Sequence, residues 1–483
     1  MELFQKLDIC VFPGVRMTLV RVGRVLALFA VIVAETGCGE YYRPVAIPIT
    51  PNPPTPSSLH YVLTLSSNGV CPPLLSQPCG PGTNARIDVS GDSNVGVAQV
   101  GLGPVHAVLL PGGTQVYVAN NEEDTVSFYS PSAIAPVSTV SLPLGSRPVF
   151  LATTESATVY VANSGSNTVA AIGTTSAVVT NLIPVGANPM ALVETPDTKK
   201  VYAANQGSGT VTSINTLDKS VGSTITTGAS PVWLAARSDS QRVYVLNSGD
   251  GTVSVIDTST DAVVGSKAMG AGGNFMLYDA GRSRLYVTNP VAASLTTLDT
   301  SSDALNILGT VSFAAGSAAC PSGCTPLTVA ALPDGSRIYV ASESIAPACS
   351  EAADANAAGC ISSQVTVLRE ADFSVVKAIP ITLPDTANSP ATTKPDTPVI
   401  ARCGDARFRL FAVAAADSSR VYVAYCDAGS TAIIRTTPNT SPGSENSGDY
   451  LVNDLSAPAS ALSPPAPGMQ PPPQNPVFVL TSQ

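Results

Sequence analysis

The stretch VYVANSGSNTV, Val159 to Val169, decides the fold because the chain repeats it. VYVANNEEDTV precedes it at 116–126, and VYAANQGSGTV (201–211), VYVLNSGDGTV (243–253) and LYVTNPVAASL (285–295) follow. Their tyrosines, Tyr117, Tyr160, Tyr202, Tyr244 and Tyr286, are spaced 43, 42, 42 and 42 residues apart. A period so regular marks one supersecondary unit copied along the chain. Two more copies, RIYVASE with Tyr339 and RVYVAYC with Tyr422, come at wider spacings, because Cys-bearing insertions and a Pro/Ser/Thr-rich stretch (380–398) intervene. A weaker copy stands first: HYVLTLSSNG with Tyr61, then an insertion from Cys71 to Cys79, then ARIDVSG.

Four segments recur inside each period. In residues 231–265, PVWLAARSDS leads to RVYVLNS, TVSVIDTSTD and AVVG, with Gly, Asn, Asp or Ser at each junction. Short Val- and Tyr-rich runs bounded by turn formers read as four antiparallel strands. VYVA puts apolar side chains on both faces of its strand, so both faces must be covered. Four-stranded sheets packed on each side by a neighbour, at a period near 42, describe the blades of a β-propeller. A stacked solenoid would need an unusually long coil, and would leave an end face to water. The phrases give eight blades, or seven if the Tyr61 copy shares a blade with the last repeat. The opening phrase seen in RPVFLAT (147–153) and SPVWLAA (230–236) returns at the chain's end as NPVFVLTSQ (475–483), with no strands after it. That copy is expected to complete the first blade and clasp the ring. Its rival, RPVAIPI (43–49), is broken by Pro48.

With 41 Pro, 38 Gly and only 12% charged residues, the composition fits many short strands and turns. The net charge of −10 argues against a nucleic-acid partner, which requires clustered cations. At the start, Met17 with Arg21 and Arg24, an apolar run from Val25 to Ala34 and then Thr36-Gly37-Cys38 read as an export signal over residues 1–37 that begins in truth at Met17. A small residue before Cys38 resembles the lipobox of bacterial lipoproteins, with Glu35 departing from the usual aliphatic residue. Lipidation of Cys38, and hence membrane anchoring in the periplasm or on the cell surface, is the expectation. The alternative is an ordinary cleaved signal. Residues 38–58 form a Pro-rich tether, and 59–483 the propeller, expected to be monomeric.

Eight cysteines remain in close sequential pairs: Cys71 with Cys79, Cys320 with Cys324, Cys349 with Cys360, and Cys403 with Cys426. In an oxidising compartment these are disulfide candidates, although sequence does not fix their connectivity. A metal site built from Cys320, Cys324, Cys349 and Cys360 is the weaker alternative, because the spacings match no zinc knuckle and the only histidines, His60 and His106, lie far away. No metal and no cofactor are expected.

Tyr286-Val287-Thr288-Asn289 spells the motif of the YVTN β-propeller repeat family. The likeness extends to TVSVIDT (252–258) and to the Gly-x-x-Pro of GANP (186–189), and covers about residues 59–483. The chain therefore resembles exported or lipid-anchored bacterial members of that family, which are related to lactonase-like and quinoprotein-like propellers. WD repeats share the period but not the composition, since Trp233 is the only Trp. The shared residues build blades and assign no activity.

Candidate chemistry is sparse. The repeated Asn120, Asn163, Asn205, Asn247 and Asn289 read as turn caps bonding nearby backbone rather than a ligand ring. NSGDGTV (247–253) reads as a hairpin turn rather than a calcium loop. Trp233 reads as a packed residue, with ligand stacking near the channel as the alternative. There is no Gly-x-Ser-x-Gly elbow, and two histidines are few for haem ligation. Catalytic residues stay unassigned; Arg147, Glu343 and Arg407 are the possible contributors to a lactonase-like site converging from several blades. The leading expectation is an envelope-facing binding module that meets a protein or glycan partner through its inserted loops.

Overall fold

The computed structural model describes residues 7–12, 15–19 and 30–32 and, with short interruptions, 62–68, 81–345, 361–381, 410–437, 448–456 and 474–481. Met1–Ser57 and Ser58–Gln483 are separate units. In the first, strands Leu7–Phe12, Val15–Leu19 and Ala30–Ile32 pair in a three-stranded antiparallel sheet. Cys38, the tether and His60 lie outside the described residues, and no described helix is long and apolar enough to cross a membrane.

The second unit is an all-β, eight-bladed propeller. Each blade is one four-stranded antiparallel sheet, its strands here called a to d from the axis outward. The first strands of blades 2 to 8 are Pro104–Leu109, Pro148–Ala152, Pro189–Glu194, Pro231–Ala236, Phe275–Asp279, Thr325–Ala331 and Leu410–Ala414. Blade 1 takes its strand a from the other end of the chain: Gln474–Thr481 pairs antiparallel with Val62–Asn68. Every strand a touches the strand a of both neighbouring blades, and that of blade 1 touches those of blades 2 and 8, so the ring is closed. Eight blades are present, and the Tyr61 phrase belongs to a complete blade of its own.

The second strands bury both faces as their sequence requires. Val159, Tyr160, Val161 and Ala162 are 0% exposed, as are Tyr117, Tyr202, Tyr286, Tyr339 and Tyr422. The tyrosine hydroxyls, or basic residues two positions before them, reach the next blade's turn between strands c and d. Tyr202 donates to Asp261 Oδ1 at 2.6 Å while Lys200 Nζ stands 2.9 Å from the same oxygen. Tyr286 and Arg284 share Glu370, and Tyr339 and Arg337 share Asp449. Arg420 holds Asp92 at 2.7 Å across the closing seam, with Arg435 at 3.2 Å. The polarity reverses between blades 3 and 4, where Lys219 donates to the Tyr160 hydroxyl at 2.7 Å. These partly buried pairs fix which turn docks on which blade, because an unpartnered charge at such a seam is costly.

A strand a runs from the face carrying the d–a and b–c connections, called here the upper face, to the lower face carrying the a–b and c–d turns. Removing residues 474–483 should expose one face of each neighbouring inner strand and unfold the whole ring. Thermal melting of the truncated chain is expected to show one cooperative transition at much lower temperature; an unchanged midpoint would refute the clasp.

Candidate functional site

The axis is the first place to look, since ligands of ring-shaped folds reach residues of many blades there. In six blades strand a carries a β-bulge just after its proline, at Pro104/His106, Pro148/Phe150, Pro189/Ala191, Pro231/Trp233, Pro326/Thr328 and Pro476/Phe478. Bulges re-aim the side chains that follow. Four of the bulges precede aromatic residues, which join Phe275 and Phe411 of the two unbulged strands in one layer drawn from six blades. His106 stacks on Phe150 at 3.9 Å, Phe150 meets Trp233 edge-on at 5.6 Å, and Trp233 packs on Phe275 at 4.7 Å. Phe275 meets Phe411 at 5.7 Å, Phe411 meets Phe478 at 4.2 Å, and Phe478 returns to His106 at 4.5 Å, which closes the cycle. Ala191 and Thr328 occupy the same register in the two remaining blades, and their small size lets the neighbouring rings meet past them.

The layer is buried, with Trp233 and Phe150 at 9% exposure and Phe275 at 4%. The axis at this level is therefore core. His106 is built into it: Nδ1 accepts the Leu151 backbone N–H at 3.3 Å, so the neutral ring carries its proton on Nε2. Ligand stacking by Trp233 is not what the ring contacts show.

The other expected site residues are scattered. Arg147 is exposed and has φ 47, a left-handed conformation shared at the same loop position by Gly103, Asn188 and Ser230. In each, the carbonyl accepts an N–H from the following b–c turn: Gly103 from Asn121, Arg147 from Ser164, Asn188 from Gln206 and Ser230 from Ser248. The backbone strain is thus a recurring joint of the upper face. Glu343 is 5% exposed within the extended hairpin of blade 7, and Arg407 lies outside the described residues. The asparagines meet the expectation of backbone caps only in part. Asn289 caps the turn that follows it, accepting the Ala292 N–H on Oδ1 and donating Nδ2 to the Gly270 and Ala271 carbonyls, and Asn120 Oδ1 accepts the Gly101 N–H. Asn120, Asn205 and Asn247 each donate Nδ2 to two hydroxyls of strand c and Asn163 donates to Thr168, so these four side chains span the strands. Cys320 and Cys324 form a disulfide, which removes them from any metal site, and Cys426 is also disulfide-bonded. Cys71, Cys79, Cys349, Cys360 and Cys403 lie outside the described residues.

Sequence reasoning missed one titratable group. Glu194, at the lower end of strand a in blade 4, is 2% exposed; Oε2 accepts the Thr154 N–H at 2.6 Å and Oε1 is buried without a hydrogen bond among the described residues. Burial holds its carboxyl above the ordinary range, against the lowering by Thr154 and Lys219. Burial likewise lowers the Lys219 ammonium, which lies 4.9 Å over the Tyr160 ring. A buried acid inside the repeated phrase PMALVETP carries no period-breaking signal that could single it out.

What distinguishes the two ends of the ring is insertion. The long connections 69–82, 313–324, 346–360, 382–409 and 457–473 each join strand b to c or d to a, so all five leave from the upper face. On the lower face the c–d connections 130–137 and 436–449 are the longest, and 300–305 is modestly lengthened. In blade 7 the hairpin stands tall: Arg337–Ile345 and Ile361–Arg369 stay paired as far as Ile345 and Ile361, where other blades stop near the asparagine register. The disulfide loop before it is tied down by Gln364 Nε2 and Thr366 Oγ1, which both donate to the Ala319 carbonyl, at 2.7 and 3.0 Å. Leu144 and Val291, at 97% and 79% exposure, tip two further loops of this face.

No family model matches the chain, and no curated protein matches it. Solved structures do resemble it. They include the hydrazine synthase of Kuenenia stuttgartiensis, at 18% identity and TM-score 0.49, covering 65% of this chain and 88% of that one. A putative 6-phosphogluconolactonase from Bacteroides uniformis has 14% identity and TM-score 0.48, covering 67% and 97%. The periplasmic gluconolactonase of Pseudomonas aeruginosa has 16% identity and TM-score 0.47, covering 66% and 95%. Likeness at this level carries no activity across to this chain.

Two measurements follow from the geometry. Trp233→Ala should cost roughly 3–5 kcal/mol of stability by opening a cavity in the aromatic layer, read by denaturant unfolding. A loss below about 1 kcal/mol would mean that the ring is not packed as described. Glu194 binds its proton more tightly in the folded chain than in the unfolded one, so it favours folding as pH falls through its raised range and opposes folding when ionised. Glu194→Gln is therefore expected to raise the melting temperature near pH ~7, with the gain vanishing by about pH 3, below the ordinary carboxyl range.

Proposed function

We propose that the chain is an exported, Cys38-anchored member of the YVTN repeat family that acts as a binding platform in the bacterial envelope, with its upper face as the recognition surface. The observation that carries the reading is topological. Five insertions drawn from different blades leave from one face, while the axis beneath it is filled by the aromatic layer. A channel-centred hydrolase would need that axial volume for its substrate. Recognition by loops needs only a rigid scaffold, which the closed ring supplies, and the Cys320–Cys324 bridge ties the inserted connection 313–324. Exposed apolar tips at Leu144 and Val291 suit a macromolecular partner.

The test is made on protein purified from its own envelope. Replacing 346–360 by a Gly/Ser linker should release a co-purifying macromolecule, seen by native mass spectrometry, without lowering the melting temperature. Cys38→Ser should move the chain from the membrane to the soluble fraction. A small bound molecule that survives the loop replacement, with no macromolecule retained by the unaltered chain, would overturn the platform.

A further inference from the structure

One blade seam differs from its neighbours on the opposite, lower face. At the seam between blades 4 and 5 the residue before strand d is Asp261, which receives both Lys200 and the Tyr202 hydroxyl. Between blades 5 and 6 the corresponding turn is longer: the strands close at Asp299 with Asn306, where blade 5 closes at Asp257 with Ala262. The position before strand d is now Leu305, 0% exposed. The acid has moved to Asp303, which grips Arg242 at 2.8 and 3.0 Å and leaves the Tyr244 hydroxyl facing Thr300 and Arg237 instead of a carboxylate. The longer turn fits because blade 5 has Gly265 beneath it; a Cβ there would lie 2.1 Å from the Asp303 carbonyl oxygen.

The displaced acid leaves a cleft of about 320 Å³ lined by Arg237, Asp239, Tyr278, Ser283, Thr300 and Ser301 among others. We infer that this cleft binds a neutral sugar unit, a single pyranose ring or the end of a glycan. Its chemistry selects that class in three ways. Arg237 and Asp239 face each other in a two-contact pair, Nε to Oδ1 at 2.9 Å and Nη2 to Oδ2 at 2.8 Å, so donors and acceptors stand side by side while their charges cancel. Adjacent hydroxyls of a sugar, each able to give and accept, match such a pair, whereas an anion would need an uncompensated cation. An apolar ligand would strip water from the pair with nothing in return. Tyr278, half-buried with its ring 5.7 Å from that of Tyr244, supplies a braced aromatic wall for the C–H face of a ring. The volume lies at the small end of ligand sites, which limits the occupant to about one ring.

The cleft is open and shallow, so an affinity on the order of 1 mM is expected. The experiment is a titration of the full chain with glucose, galactose, mannose and N-acetylglucosamine, read by saturation-transfer NMR, with sulfate as the ionic probe read by isothermal titration calorimetry. At least one neutral sugar should bind saturably, and Tyr278→Ala and Asp239→Asn should each weaken it at least tenfold, while Tyr278→Phe retains it. The Asp239 side chain is 43% exposed, so its substitution reports on binding rather than folding. The inference is overturned if no neutral sugar binds saturably, if binding survives both weakening substitutions, or if sulfate alone binds. Leu144→Ser on the upper face should leave the titration unchanged; a loss there would place the sugar on the other surface and also overturn it. None of these outcomes bears on partner capture by the upper face.

Discussion

The structure depends on burying both faces of one strand. A sheet whose second strand reads Val-Tyr-Val-Ala has no side to turn to water, so no blade is stable alone and none can sit at the end of a row. Closure into a ring is the solution that leaves no end, and the C-terminal strand Gln474–Thr481 makes it by pairing beside Val62–Asn68. Around the perimeter the same strand does a second task. In blades 4, 6 and 7 its tyrosine hydroxyl and the cation two residues before it both reach across the seam to the next turn, so one segment supplies apolar contact and polar register together.

Packing at the axis sets where function is possible. Six aromatic side chains, four of them placed just after bulges, fill the centre, and aromatic pairs add about 0.5–1.5 kcal/mol each beyond their area. Binding is then displaced to the two faces. These differ in kind: the upper face carries insertions and a hairpin that outgrows its neighbours, and the lower face carries short turns whose acids serve the seams. Where one such turn lengthens, at Asp299 to Asn306, the seam opens into a cleft. Variation in a repeated joint thus creates a local site without disturbing the repeat.

Much of this was legible from the residues. The 42-residue period, four strands per period, burial of the Tyr series and the C-terminal clasp follow from local pattern, because strand alternation and turn chemistry act within a few residues, while the choice of eight blades over seven needed the complete first sheet. The site was less legible. Trp233 and His106 looked like isolated rare residues, yet they are neighbours in one layer through Phe150. Arg147 looked like a possible reagent, and its left-handed backbone proves to be a joint found in three other blades. The asparagines looked like turn caps, and Asn289 is one, but Asn120, Asn163, Asn205 and Asn247 tie strand b to hydroxyls of strand c, since the Thr and Ser positions of the facing strand come within reach only once the register is set.

The sequence by itself determined the strand conformation of the repeats, a ring of seven or eight blades and the expected partner of the last strand, because these rest on short-range periodicity and on the copying of a phrase. Tertiary structure alone decided which acid meets which tyrosine, that the axis is filled, and that five distant insertions share one face. Those outcomes join residues from different blades, such as Arg420 with Asp92, and depend on the angle and register at which one blade meets the next. No local pattern encodes that geometry, which is fixed only when the ring closes and all eight seams are satisfied at once.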